Sequence, residues 1–142
     1  MPKILKNNIS LFAIMIVLLS CDIETGLNVL TENDNELKAT FSSIEESVFR
    51  VRCALSGCHA SDTRSAGLDL STSEAYNSLV DVPSVLSVQD FDRVEPFDSD
   101  SSFLINVLDG SNPTRMPLNG SPLDNATIDK IKQWINEGAQ NN

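Results

Sequence analysis

Cys53-Ala54-Leu55-Ser56-Gly57-Cys58-His59 contains two of the chain's three cysteines and its only histidine. Two cysteines at this separation suit a small-loop disulfide, and such bonds persist in exported proteins. On the spacing of Cys53 and Cys58 alone, a disulfide and a covalent attachment site are evenly matched. The imidazole directly after the second thiol favours attachment, because a disulfide has no use for it.

The arrangement is C-x4-C-H, two residues longer than the C-x-x-C-H run that attaches a c-type haem. In that run the thiols join the two vinyl groups as thioethers, and the adjacent imidazole reaches the iron. A longer loop keeps this geometry if it bulges outward, and Gly57 suits a bulge. A sixth ligand is also available. Met1 and Met15 fall near the start of the chain, which leaves Met116 as the last methionine, in Thr114-Arg115-Met116-Pro117. A thioether is a soft ligand that raises the reduction potential of His-ligated iron. Pro113 and Pro117 would hold its loop with little entropy left to lose. The competing role for a lone methionine is core filling, for which a polar loop is a poor place.

The first twenty residues read as a leader. Lys3 and Lys6 precede an apolar run, Ile9–Leu19, too short to span a bilayer but suited to a signal peptide. Leu18-Leu19-Ser20-Cys21 resembles the lipobox of bacterial lipoproteins, which implies cleavage before Cys21 and lipidation there. An ordinary secretory cleavage site is the alternative. The expected organisation is a signal peptide over 1–20, a lipid-anchored tether over 21–40 and one domain over 41–142. Loss of Lys3 and Lys6 takes the basic residues from 10 to 8 against 20 acidic ones, a net charge of −12. That balance argues against nucleic acid, since no basic patch exists to release counterions. It also leaves anchoring to the lipid, with the protein on the periplasmic or cell-surface side of a bacterial membrane. The mature chain is poor in aromatics, so a buried porphyrin would supply apolar contact that its side chains lack.

Within the domain the pattern predicts helices. A capping box, Ser43-x-x-Glu46, opens one to about Arg52, with Ile44, Val48 and Val51 on its apolar face. Gly67-Leu68-Asp69-Leu70 reads as extended. A second box, Ser71-x-x-Glu74, opens a short helix through Leu79. Residues 80–96 read as irregular, broken by Pro83 and Pro96. Asp98-Ser99-Asp100-Ser101-Ser102 caps a helix over Phe103–Leu108 that Gly110 ends. Asp124 caps the last helix, with Leu123 and Ile128 as a hydrophobic staple. Ile128, Ile131 and Ile135 form its stripe beside Trp134, and Gly138 stops it.

From Val48 to Ala139 the sequence resembles a class of small cytochrome c domains of environmental bacteria. The resemblance rests on an ordered series: Cys53 to His59, Gly67 to Leu70, Arg93-Val94-Glu95-Pro96, Ser102-Phe103-Leu104, Arg115-Met116-Pro117 and Trp134-Ile135-Asn136-Glu137-Gly138-Ala139. It implies a mainly α, cytochrome c-like fold with N- and C-terminal helices packed beside a haem. It also implies one covalent haem c attached at Cys53 and Cys58, with His59 as proximal and Met116 as distal iron ligand. The sequence departs from the pattern in its spacer length and in Phe97, where a glycine commonly follows the proline.

The function so implied is electron carriage with transient redox partner proteins, not catalysis. Two other readings remain open: a haem-free lipoprotein module stapled by a Cys53–Cys58 disulfide, and a haem sensor with an open sixth position. Arg93 and Arg115 are candidates to face the haem carboxylates or, equally, surface residues. Asp90, Asp92, Asp98 and Asp100 lack the alternation and closing Glu of a Ca²⁺ loop. Cys53, Cys58 and His59 are cramped for zinc.

Overall fold

The computed structural model describes residues 36–142. The expected leader, the Cys21 anchor and most of the 21–40 tether lie outside the described residues. A compact unit runs from Leu37 to Asn142. Among the described residues it is mainly helical and has no strand, only the isolated bridges Val80–Val94, Pro83–Asp92 and Glu95–Asp98. Among them, too, no helix is long and apolar enough to cross a membrane.

Helix α1, Phe41–Ile44, continues without a break into a π-helical stretch, Glu45–Cys53. The wider winding is visible at its end, where the Ala54 amide donates to the Phe49 carbonyl, five residues back, at 2.7 Å. This corrects the expected apolar face. With i to i+5 bonding the inward side passes through Ile44, Val48, Phe49 and Cys53. Phe49 is buried, whereas Val51 is 52% exposed. The cap also lies earlier than the Ser43 box predicts. Thr40 Oγ1 accepts from the Ser43 amide at 3.4 Å, and Glu46 reaches forward to Arg50 instead.

After the cysteines comes a tight 3₁₀ turn, Ser65–Gly67, and then Leu68 in extended geometry. Helix α2 spans Ala75–Leu79. Ser71 contributes to its approach through its carbonyl, which accepts from the Glu74 and Ala75 amides. The Ser71 hydroxyl is engaged elsewhere, by Asp69 and Ser61, so the second capping box does not form. Residues 80–96 are irregular, as expected, and the irregular chain runs on to Ser102. Asp98 Oδ1 accepts from the Asp100 and Ser101 amides, and the buried Ser102 hydroxyl donates to the Asp98 carbonyl.

Helix α3, Phe103–Asp109, ends on Gly110 at φ 86°. Helix α4, Asn125–Asn136, starts on Asp124, whose carboxylate accepts from the Thr127 amide at 2.8 Å. Leu123 and Ile128 are both buried, as a hydrophobic staple requires. Ile131, Trp134 and Ile135 extend the buried stripe into one core with Phe41, Ile44, Leu79 and Ile105. Phe41 lies 5.6 Å from the Trp134 ring and 5.1 Å from that of Tyr76. The polar ends of this cluster are satisfied: Trp134 Nε1 donates to the Gln140 carbonyl at 2.8 Å and the Tyr76 hydroxyl to that of Ala139 at 2.9 Å.

Gly138 takes φ 104° and leaves room for Phe97, whose ring atoms lie only 2.8 Å from where a Gly138 Cβ would stand. Phe97 itself is in left-handed backbone at φ 70°, a region that disfavours residues with a Cβ. This chain therefore accepts a strained phenylalanine directly after Pro96.

Candidate functional site

The π-helical stretch delivers Cys53 to the edge of the core, and the chain then loops out. The Cys58 amide donates to the Leu55 carbonyl at 2.9 Å, Gly57 takes φ 83°, and Leu55 to Cys58 are exposed. The loop closes on itself where the His59 amide donates to the Cys53 carbonyl at 3.2 Å. Thus the two additional spacer residues bulge away from the protein while the ends of the segment stay together. The Leu70 amide then binds the His59 carbonyl at 2.7 Å and holds the return strand of chain against it.

On the other side of the sequence, the Met116 amide donates to the Val107 carbonyl at 2.8 Å, which ties its loop to α3. Met116 is partly buried and packs against the core. Both of these segments border one cavity of about 310 Å³. Cys53, Cys58, His59 and Met116 all line it. Most of the remaining wall is apolar, including Phe49, Leu68, Leu79, Leu104 and Val107. At its rim Val85, Leu86 and Leu118 are exposed.

The chemical state of these groups follows from their burial. Desolvation pulls the His59 imidazole below its ordinary value. Backbone groups of Leu68 and Ser65 oppose this shift, and the nearby Arg93 charge adds to it. The ring is therefore neutral at pH 7 and has a lone pair to offer a metal. Its Nδ1 is buried and has no hydrogen-bond partner. Burial also pushes the Cys53 thiol up to about 11, against the Arg52 charge, with Cys58 adding to the rise. Both Cys53 and Cys58 are free thiols. A thiol kept protonated is a slow participant in disulfide exchange, which needs the thiolate.

This donor set fits a haem. An imidazole and a thioether suit its iron, two thiols suit its vinyl groups, and an apolar cavity suits the macrocycle. Among the described residues no group of three or more His, Cys, Asp or Glu side chains gathers together.

The two arginines separate. Arg93 lines the cavity, and its guanidinium donates to the Ser78 carbonyl at 2.7 Å and the Ala66 carbonyl at 3.0 Å. Arg115 is exposed and lies along Gly110, within 3.4 Å of a Cβ placed there. A third arginine, Arg52, borders the cavity and donates to the Ser121 carbonyl at 2.7 Å. Sequence reasoning passed over it, and only its place directly before Cys53 could have pointed to it. Asp69 was also missed. It is buried, pairs with Arg64 Nε at 2.9 Å and accepts from the Ser71 amide at 3.0 Å, which braces the turn after His59. Set against known protein families, curated proteins and solved structures, the chain matches none of them.

Proposed function

We propose that residues 41–142 form a monohaem c-type cytochrome domain, cytochrome c-like in fold, that carries electrons from a lipid-anchored position on a bacterial membrane. The observation that carries this reading is the convergence of Cys53, Cys58, His59 and Met116, from two distant segments, on one apolar cavity. Haem iron, when bound, supplies a one-electron couple between its ferric and ferrous states.

The chain's own residues do the rest. Cys53 and Cys58 hold the group covalently, the first from inside the wall and the second from the exposed loop. His59 offers a neutral imidazole on the side set by the Cys53–His59 backbone bond. Met116 offers a thioether from a loop held by α3. The apolar wall keeps water from the metal and favours the less charged state. The exposed rim around Val85, Leu86 and Leu118 leaves an edge open to a transient redox partner, and the acidic body favours encounters with basic ones.

The test is maturation of the full chain in a host with a cytochrome c assembly system. The processed protein is expected to be red, to keep its haem on a denaturing gel, and to show the mass of one porphyrin. Met116→Ala should retain the covalent haem but shift its visible spectrum and lower its potential. A colourless product whose mass shows only a Cys53–Cys58 crosslink would sink the reading. Haem present with a spectrum indifferent to Met116→Ala would leave a sensor with an open sixth position.

A further inference from the structure

Arg93 is partly buried on the wall that also holds His59. Its two hydrogen bonds go to neutral carbonyls, Ser78 in α2 and Ala66 in the Ser65–Gly67 turn. Among the described residues the ion pairs are Arg50–Glu46 and Arg64–Asp69, so the Arg93 charge has no carboxylate beside it. A guanidinium drawn partly out of water is ordinarily paired, because desolvation without a counter-charge is unfavourable. Here it is retained against that tendency, on a cavity whose other walls are mainly apolar.

The turn it binds is also tied to the residue beside His59: the Ser65 amide donates to the Cys58 carbonyl at 3.0 Å, and Ser65, Ala66 and Leu68 line the same cavity as the imidazole. Gly67 takes φ 70°, and a Cβ placed there would stand 3.6 Å from Arg93 Nη2, so the guanidinium rests directly on the turn. A planar fork with fixed donors can hold two carbonyls on separate segments at once. A lysine ammonium keeps the charge without that fixed geometry.

We propose that Arg93 is a positioning residue for His59 and the fixed cation that raises the reduction potential of the cavity. The proposal rests on the haem reading above. By clamping the 65–67 turn to α2, Arg93 sets the plane in which the imidazole presents itself. Its charge, offset by no carboxylate of the described residues, disfavours the ferric state, which carries one positive charge more than the ferrous, directly or by neutralising the haem's own carboxylates. A fixed unit charge on the wall of a partly dry cavity is expected to displace a one-electron equilibrium about tenfold, which is ~59 mV.

The experiment uses the mature haem-loaded chain with Arg93→Gln and Arg93→Lys beside the parent. Haem staining, spectroelectrochemical titration and ferric electron paramagnetic resonance are measured on each. Arg93→Gln should favour the oxidised state about tenfold. Arg93→Lys should keep the parent equilibrium within about threefold, and both variants should shift the resonance g-values that report imidazole orientation. An Arg93→Gln protein with attached haem and parental potential and g-values overturns the proposal. An equal fall in potential for both variants overturns the charge assignment. Should Arg93→Gln not fold, Arg93→Lys decides by its g-values, parental ones counting against the clamp. A parent chain that carries no covalent haem fails the functional reading itself, at the staining step, before any variant is compared.

Discussion

The Trp134 end and the His59 end of this domain share one core but are finished differently. Around Trp134 the aromatic core is closed in its hydrogen bonding: Phe41 lies 5.6 Å from the buried indole and 5.1 Å from Tyr76, both aromatic polar atoms donate to backbone carbonyls, and the small pocket beside Trp134 is polar. Around His59 a cavity remains, a buried Nδ1 lacks a partner, a guanidinium lacks a carboxylate, and leucines and a valine stand exposed at the rim. Local rules satisfied at one end and broken at the other mark where folding and function divide the chain between them. The closed end specifies the fold. The open end is where the proposed haem would sit.

Substitutions can break or sharpen that contrast. The largest effect is expected at Trp134→Ala, which should destabilise by about 3–5 kcal/mol in urea unfolding of the haem-free and haem-loaded chains alike. A loss confined to the loaded protein would mean that the closed end depends on the ligand, and the division would fail. Gly138→Ala comes next. Its Cβ would collide with the Phe97 ring and strain a left-handed backbone, at a cost of about 1–3 kcal/mol. In a double-mutant cycle, Phe97→Gly should recover the part due to the ring and leave the part due to the backbone. Fully additive effects would show that the ring does not press on this turn.

The smallest effects are those of pH on the haem-free chain. Asp69, held below its usual value by the Ser71 hydroxyl and amide, and Asp124, held down by the Thr127 amide and hydroxyl, ionise more readily when folded. Their contribution is complete above the ordinary carboxylate value of 3.8 and is lost as pH falls through the lower folded values. His59, lowered from 6.5 by burial, also works against acid: the unfolded chain takes up its proton first. Stability should therefore already decline just below pH 6.5, before any carboxylate responds, and His59→Asn should abolish that first decline. A decline that survives the substitution would place its origin elsewhere.

The sequence made the closed end readable and much of the open end only in outline. Asp124, the Leu123–Ile128 staple, the isoleucine stripe and Gly138 lie in or directly beside a single helix of ordinary period, and each reports its role through local spacing. Gly110 and Gly57 were equally plain, because left-handed backbone leaves few choices of residue. Helical spacing puts Val51 on the inner face where Phe49 stands instead, since an i, i+4, i+7 pattern does not distinguish α from π winding over nine residues. The box motif points to Ser43 while Thr40 makes the cap, because both hydroxyls precede the same apolar run. Arg93 and Arg115 could not be told apart in advance, because what separates them is tertiary. One is caught by two carbonyls from distant segments, and the other lies along the Gly110 turn.

The π winding of Glu45–Cys53 carries a consequence for how the cysteine loop tolerates changes in length. In an α-helix, removing one residue swings everything downstream by about 100° and would turn Cys53 away from the interior. Here the coil already holds slack. A deletion within the exposed positions of this stretch would tighten it towards ordinary winding and still deliver the thiol to nearly the same bearing. Such a change would let the register of the cysteine loop shift without disturbing the helix that enters it.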